Sequence, residues 1–137
     1  MERRTAVPAD AAQLPALTEF LQDFWSACGL PSAGLPAFEL ALEEVFINIV
    51  LHGSPRGTVP TVEVSLALTE GDFTMTLEDD GPGFDPLSLP PPDLAASVDA
   101  RPVGGLGVFL MRQMMDSVRY QRIGARNQLS MTRQVAR

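Results

Sequence analysis

One cysteine and one histidine are all that these 137 residues hold of the side chains that most often bind transition metals or build disulfide frameworks. Cys28 excludes an internal disulfide, suits a reducing compartment, and is read as a small apolar filler rather than a reactive thiol. Basic residues are scarce too: ten Lys and Arg against seventeen Asp and Glu leave a formal charge of −7. That balance argues against general affinity for nucleic acid or an anionic membrane, both of which are held through clustered positive charge. No apolar run approaches the length of a membrane span. The opening, Met1 to Phe20, has two arginines but no unbroken apolar stretch behind them, so neither a signal peptide nor a twin-arginine signal is expected. A cytoplasmic protein is predicted.

What the chain does have is 45% hydrophobic residues, enough in one domain of this length to fold without staples. No repeat and no second domain are visible, so residues 1–137 are read as one unit. A short edge strand is expected at Arg3 to Val7. Leu14, Leu17, Leu21 and Phe24 recur at helical spacing and place a first helix over about Asp10 to Cys28, stopped by Gly29 and Pro31. A second helix, Ala33 to about Leu51, is apolar nearly all round and should be sandwiched rather than lie on the surface. Thr61 to Leu68 and Phe73 to Glu78 alternate as strands about a Glu-Gly-Asp turn, and Gly81 to Arg101 is too rich in proline for a regular element. A third helix follows, Leu106 to about Met115, and then a hairpin turning at Gly124 to Asn127.

Three stretches carry candidate chemistry. Glu44, Asn48 and His52 are spaced by four and share one face of the second helix. A buried carboxylate there would need a partner, and hydrated Mg²⁺ with phosphate oxygens would supply one; the plain alternative is a narrow solvated stripe that includes Glu43, with His52 as a cap or packing residue. In "LEDDGPGFDP", Asp79 at a strand end can accept from the exocyclic amine of adenine and would oppose the carbonyl of guanine. Gly81 and Gly83 would let backbone pass close to the ring, with Pro82 stiffening the turn; in isolation the stretch is an acidic turn, and Asp80 is read as turn chemistry only. In "GGLG", Gly104, Gly105, Leu106 and Gly107 open a helix whose N–H groups could meet phosphates, or form a flexible helix start. The stretch lacks the residues of a Walker A loop and the last glycine of a dinucleotide fingerprint.

In this order the three stretches resemble the GHKL (Bergerat) ATPase superfamily, with its E-x-x-x-N helix, D-x-G-x-G after a strand, a lid, and G-x-G before a helix. The form "ALEEVFINIVLHG … LEDDGPGFDP … GGLGVFLMRQMMDSVRY" is similar to the RsbW-type anti-sigma-factor serine kinases, over about Ala9 to Arg133. The resemblance implies a two-layer α/β sandwich, with a mixed, mainly antiparallel sheet and helices on one face, and ATP held under a lid at about 84–103. It makes Glu44 the base, Asn48 the Mg²⁺ ligand and Asp79 the adenine reader, with Gly81, Gly83, Gly104, Gly105, Leu106 and Gly107 shaping the pocket, and Thr132 helping to hold Asp79 through water. It further implies phosphoryl transfer to a STAS-domain antagonist, sequestration of a sigma factor, and a homodimer through the first strand and helix. Leu51 and Val103 stand where many relatives carry basic residues. A histidine kinase would need a phosphoacceptor on a dimerising hairpin, and the one histidine lies in the nucleotide helix. The remaining rival is a nucleotide-binding module that clasps a regulator without phosphorylating it.

Overall fold

The computed structural model describes residues 1–53, 57–88 and 105–135. Five strands, β1 (Glu2–Pro8), β2 (Thr61–Thr69), β3 (Asp72–Asp79), β4 (Ser117–Ile123) and β5 (Arg126–Gln134), form one sheet in the order β1-β2-β3-β5-β4. Three helices, α1 (Leu14–Ala27), α2 (Leu35–His52) and α3 (Gly105–Met114), complete the fold. Every pairing is antiparallel, which corrects the expectation of a mixed sheet. β3 and β4 do run the same way, but β5 turns back from β4 and inserts between them. Strands of the same direction therefore never meet as neighbours.

Local chemistry sets the ends of these elements. The Asp10 carboxylate accepts from the Ala12 amide at 3.0 Å and starts a 3-10 turn, Ala11–Gln13, that leads into α1. Pro36 stands in the first turn of α2, where no intrahelical N–H is lost. Glu70 and Gly71 both take positive φ, 53° and 86°. This is the two-residue geometry whose twist matches an antiparallel pair, and it joins β2 to β3 in the register Thr69 opposite Asp72.

Alternation then decides the layers. Val62, Val64 and Leu66 of β2, Phe73, Met75 and Leu77 of β3, and Leu129 and Met131 of β5 are buried against the helices. The opposite face carries hydroxyls, paired as Thr74 with Thr132 and Thr76 with Ser130, each at 2.9 Å. Phe24, Trp25, Phe38 and Phe73 form a ring cluster with centroids 4.8 to 5.8 Å apart, and each buried ring contributes about 1.5–3 kcal/mol. Phe73 begins β3 and Phe38 lies near the start of α2, so this cluster anchors one end of the sandwich. α2 lies between α1 and α3 in the helix layer. Its Phe38, Leu42, Val45 and Phe46 are buried while Leu51 is 56% exposed, so the sandwiching expected of this helix holds except at its last turn. No helix among the described residues is long and apolar enough to cross a membrane.

Candidate functional site

Among the described residues the buried polar side chains are Asn48, Asp79 and Asn127, at 3%, 5% and 6% exposure. All three line one cleft, at the end of the sandwich away from the ring cluster, together with Val45, His52, Phe84 and Tyr120. Burying an amide or a carboxylate is costly unless it is partnered, so three at one place mark a site rather than a packing accident. The cleft is narrow, about 30 Å³, room for a water or two. The His52 and Phe84 rings, both in its lining, stack with centroids 4.2 Å apart.

Asp79 ends β3 on the helix-facing side and stands opposite Asn127 of β5. Its Oδ1 accepts from the Gly81 amide at 2.9 Å and from Asn127 Nδ2 at 3.0 Å. Oδ2 accepts no hydrogen bond from the described residues, and Asp79 forms part of the cleft wall. Thr132 is not at this site. It lies opposite Thr74, five positions along β5 from Asn127, and its hydroxyl bonds Thr74 on the other face of the sheet. The residue that holds Asp79 is Asn127, and it does so directly. Strand parity could have found it: once Leu129 and Met131 face inward, Asn127 must as well, and Thr132 cannot.

Gly81 packs against Gly53, with a Cβ there reaching 3.4 Å from Gly53 Cα, so the turn after β3 sits directly on the end of α2. Gly83 is looser, since a Cβ would meet only the Arg122 side chain, at 3.9 Å. Asp80 accepts from the Thr61 amide at 2.8 Å and tethers the start of β2, a contact between strands where turn chemistry alone was expected. The lid expected over 84–103 lies mostly outside the described residues, as does Gly104. Its root, 84–88, is described: Asp85 accepts from the Leu87 amide at 2.8 Å, Pro86 is buried, and Phe84 donates its amide to Asn127 Oδ1 at 3.3 Å.

Gly105, Leu106 and Gly107 form the first turn of α3. A Cβ on Gly107 would overlap the Glu44 carboxylate, so the start of α3 rests on that side chain. Glu44 is half-buried, one helical turn before Asn48, and burial followed by the neighbouring Glu43 charge raises its pKa above the ordinary 4.5. A carboxylate so placed is a stronger proton acceptor than a free one.

The polar groups present fit a base edge and a phosphate, and the cleft, at about 30 Å³, must widen to admit them. Asn48 Nδ2 is buried without a hydrogen-bond partner among the described residues, which suits an acceptor such as a phosphate oxygen, and the same amide turned over presents Oδ1 to a cation. Oδ2 of Asp79 suits the adenine amine. No group of three or more His, Cys, Asp and Glu that could hold a metal occurs among the described residues.

The Histidine kinase-like ATPase domain family matches residues 7–133. Among named relatives, the serine/threonine-protein kinase BtrW of Bordetella bronchiseptica is 33% identical over 114 residues, covering 82% of this chain and 75% of that protein. The serine-protein kinase RsbW of Staphylococcus aureus is 26% identical over 117 residues, covering 82% and 74%. The crystal structure of the RsbU and RsbW domains of Rv1364c from Mycobacterium tuberculosis matches in fold with a TM-score of 0.72 at 14% identity, over all of this chain and 33% of that one. With the E-x-x-x-N helix, the D-x-G-x-G turn and the G-x-G helix start gathered at one end of such a sandwich, the chain belongs to the histidine kinase-like ATPase family, among its RsbW-type serine kinases.

Proposed function

We propose that this protein is an ATP-dependent serine/threonine kinase that phosphorylates a STAS-domain antagonist and, as an anti-sigma factor, sequesters a sigma factor until that antagonist displaces it. The observation that carries the nucleotide site is the convergence of Asn48, Asp79 and Asn127 on one cleft, with Glu44 one turn away on the same helix. Asp79 reads the adenine amine through Oδ2. Asn48 holds Mg²⁺ through its amide oxygen, and when bound that ion spreads the charge of the transferred phosphoryl group. Glu44 orients the partner's hydroxyl and accepts its proton as the oxygen attacks the γ-phosphate, the bond to the bridging oxygen of the β-phosphate breaks and ADP leaves. Gly81 keeps the turn after β3 low against α2, and Gly107 keeps the start of α3 against Glu44. A homodimer through β1 and α1 belongs to the same reading, since among the described residues β1 is an edge strand that pairs on one side only.

The test is transfer of labelled γ-phosphate from ATP to a hydroxyl of a small STAS partner. Glu44→Gln should keep most nucleotide affinity while slowing transfer about 100-fold or more, because it removes the proton acceptor alone. Asn48→Ala should lose Mg²⁺-dependent binding and transfer together. A partner bound tightly in ATP, with no label transferred by the wild type under any metal condition, would make the chain a nucleotide-dependent clasp.

A further inference from the structure

Asn127 belongs to none of the three motifs, yet it uses all the bonding capacity of its amide. Nδ2 donates to Asp79 Oδ1 at 3.0 Å and to the Pro82 carbonyl at 2.8 Å. Oδ1 accepts from the Tyr120 hydroxyl at 2.5 Å and from the Phe84 amide at 3.3 Å. The two donors arriving at Oδ1 fix which way round the amide lies, so Nδ2 must face the carboxylate and the carbonyl. An aspartate here would offer only acceptors and set carboxylate against carboxylate. A serine or threonine hydroxyl has one proton and could not serve both Asp79 and Pro82.

We propose that Asn127, oriented by Tyr120, is the positioning residue that sets adenine specificity, and that it does so by tying Asp79 and the backbone at Pro82 and Phe84 to one side chain; this rests on the nucleotide reading above. Engaging Oδ1 of Asp79 leaves Oδ2 as the atom presented to the cleft. Asn127 accepts from the Phe84 amide, and the Phe84 ring stacks on His52 of α2, so the carboxylate that reads the base and this ring in the cleft wall share one anchor. Movement of the 84–88 root and loss of base discrimination are therefore one event in this chain. Arg122 reinforces the turn from β4, donating to the Gly81 carbonyl at 2.8 Å.

Calorimetry of the full chain with Mg-ATP and Mg-GTP, together with amide hydrogen exchange at Phe84, tests this. Asn127→Ala should shrink the ATP-over-GTP preference about fivefold or more, as expected when a buried carboxylate loses the donor that orients it. Tyr120→Phe, a mild change at a half-buried ring, should shrink the preference less and in the same direction, so the proposal stays testable if Asn127→Ala folds poorly. In an Asp79→Asn background Asn127→Ala should have no further effect on preference, because the two act on the same discrimination. Phe84 exchange should quicken about tenfold in Asn127→Ala. A wild type that prefers ATP, with the same preference in Asn127→Ala and Tyr120→Phe, overturns the positioning role while leaving the nucleotide reading intact. A wild type that binds both nucleotides equally overturns both.

Discussion

Glu44 shows how one residue's chemistry and its cost are linked. Burial and the Glu43 charge favour its protonated form in the fold, so the folded chain holds this proton to higher pH than the unfolded chain does. The contribution to stability is fully present below the ordinary 4.5 and is lost as pH rises through the folded value. Above that value the ionised carboxylate destabilises the fold, and Gln, which has the same shape without the charge, does not. Melting curves against pH should therefore place Glu44→Gln above wild type at neutral pH, with the gap narrowing as pH falls through the folded value and closed below 4.5. A gap that stays constant across that range would mean that the raised value is not an effect of the fold. The same burial suits the role of base proposed for Glu44, an exchange of stability for activity that is common at sites.

At the scale of elements, the contact between α2 and α3 is where the site is assembled. Gly107 lets the first turn of α3 rest on Glu44, and the atoms a methyl group would strike are the end of a flexible side chain, not backbone. Gly107→Ala should therefore fold with a near-normal melting temperature while its transfer rate drops about 10- to 100-fold, because the carboxylate moves by about an ångström. A rate equal to wild type would mean that Glu44 acts from elsewhere. The elements themselves were readable: the spacing of Leu14, Leu17, Leu21 and Phe24, the apolar bulk of α2 and the alternation around Glu70-Gly71 each left a local signal. β1 runs Glu2–Pro8, longer than the five residues read from sequence, because an edge strand with Glu2, Arg3 and Arg4 has little hydrophobic pattern to extend. The place of β5 between β3 and β4 depends on pairing between distant segments, which no local window records. Asn127 was missed because the hairpin turn was read as reaching it, whereas β5 starts at Arg126, and Thr132 was misplaced because its parity with Leu129 and Met131 was not followed.

For the whole molecule, the ring cluster and the site occupy opposite ends of one sandwich. α2 runs between them: Phe38 and Asn48 are ten residues apart, about 15 Å along the helix. The aromatic end ties helices to sheet through apolar contacts. The other end joins α2, β3, β5 and the 84–88 root around a cleft that contains a buried amide nitrogen without a partner among the described residues. A ligand that bonds Asn48 and Asp79 at once links the two layers, and only the folded chain offers that arrangement. Mass action then predicts about 2.7 kcal/mol of added stability at a hundredfold excess over Kd, which for a domain of this size is a rise of about 10 °C in Tm. Mg-ATP should produce that shift and Mg-GTP at equal concentration a much smaller one. Asp79→Asn should remove the difference between the two, because the acceptor that meets the adenine amine is gone. Differential scanning fluorimetry of the two proteins with each nucleotide gives the answer. Equal shifts for ATP and GTP in the wild type would show that the cleft binds phosphates without reading the base.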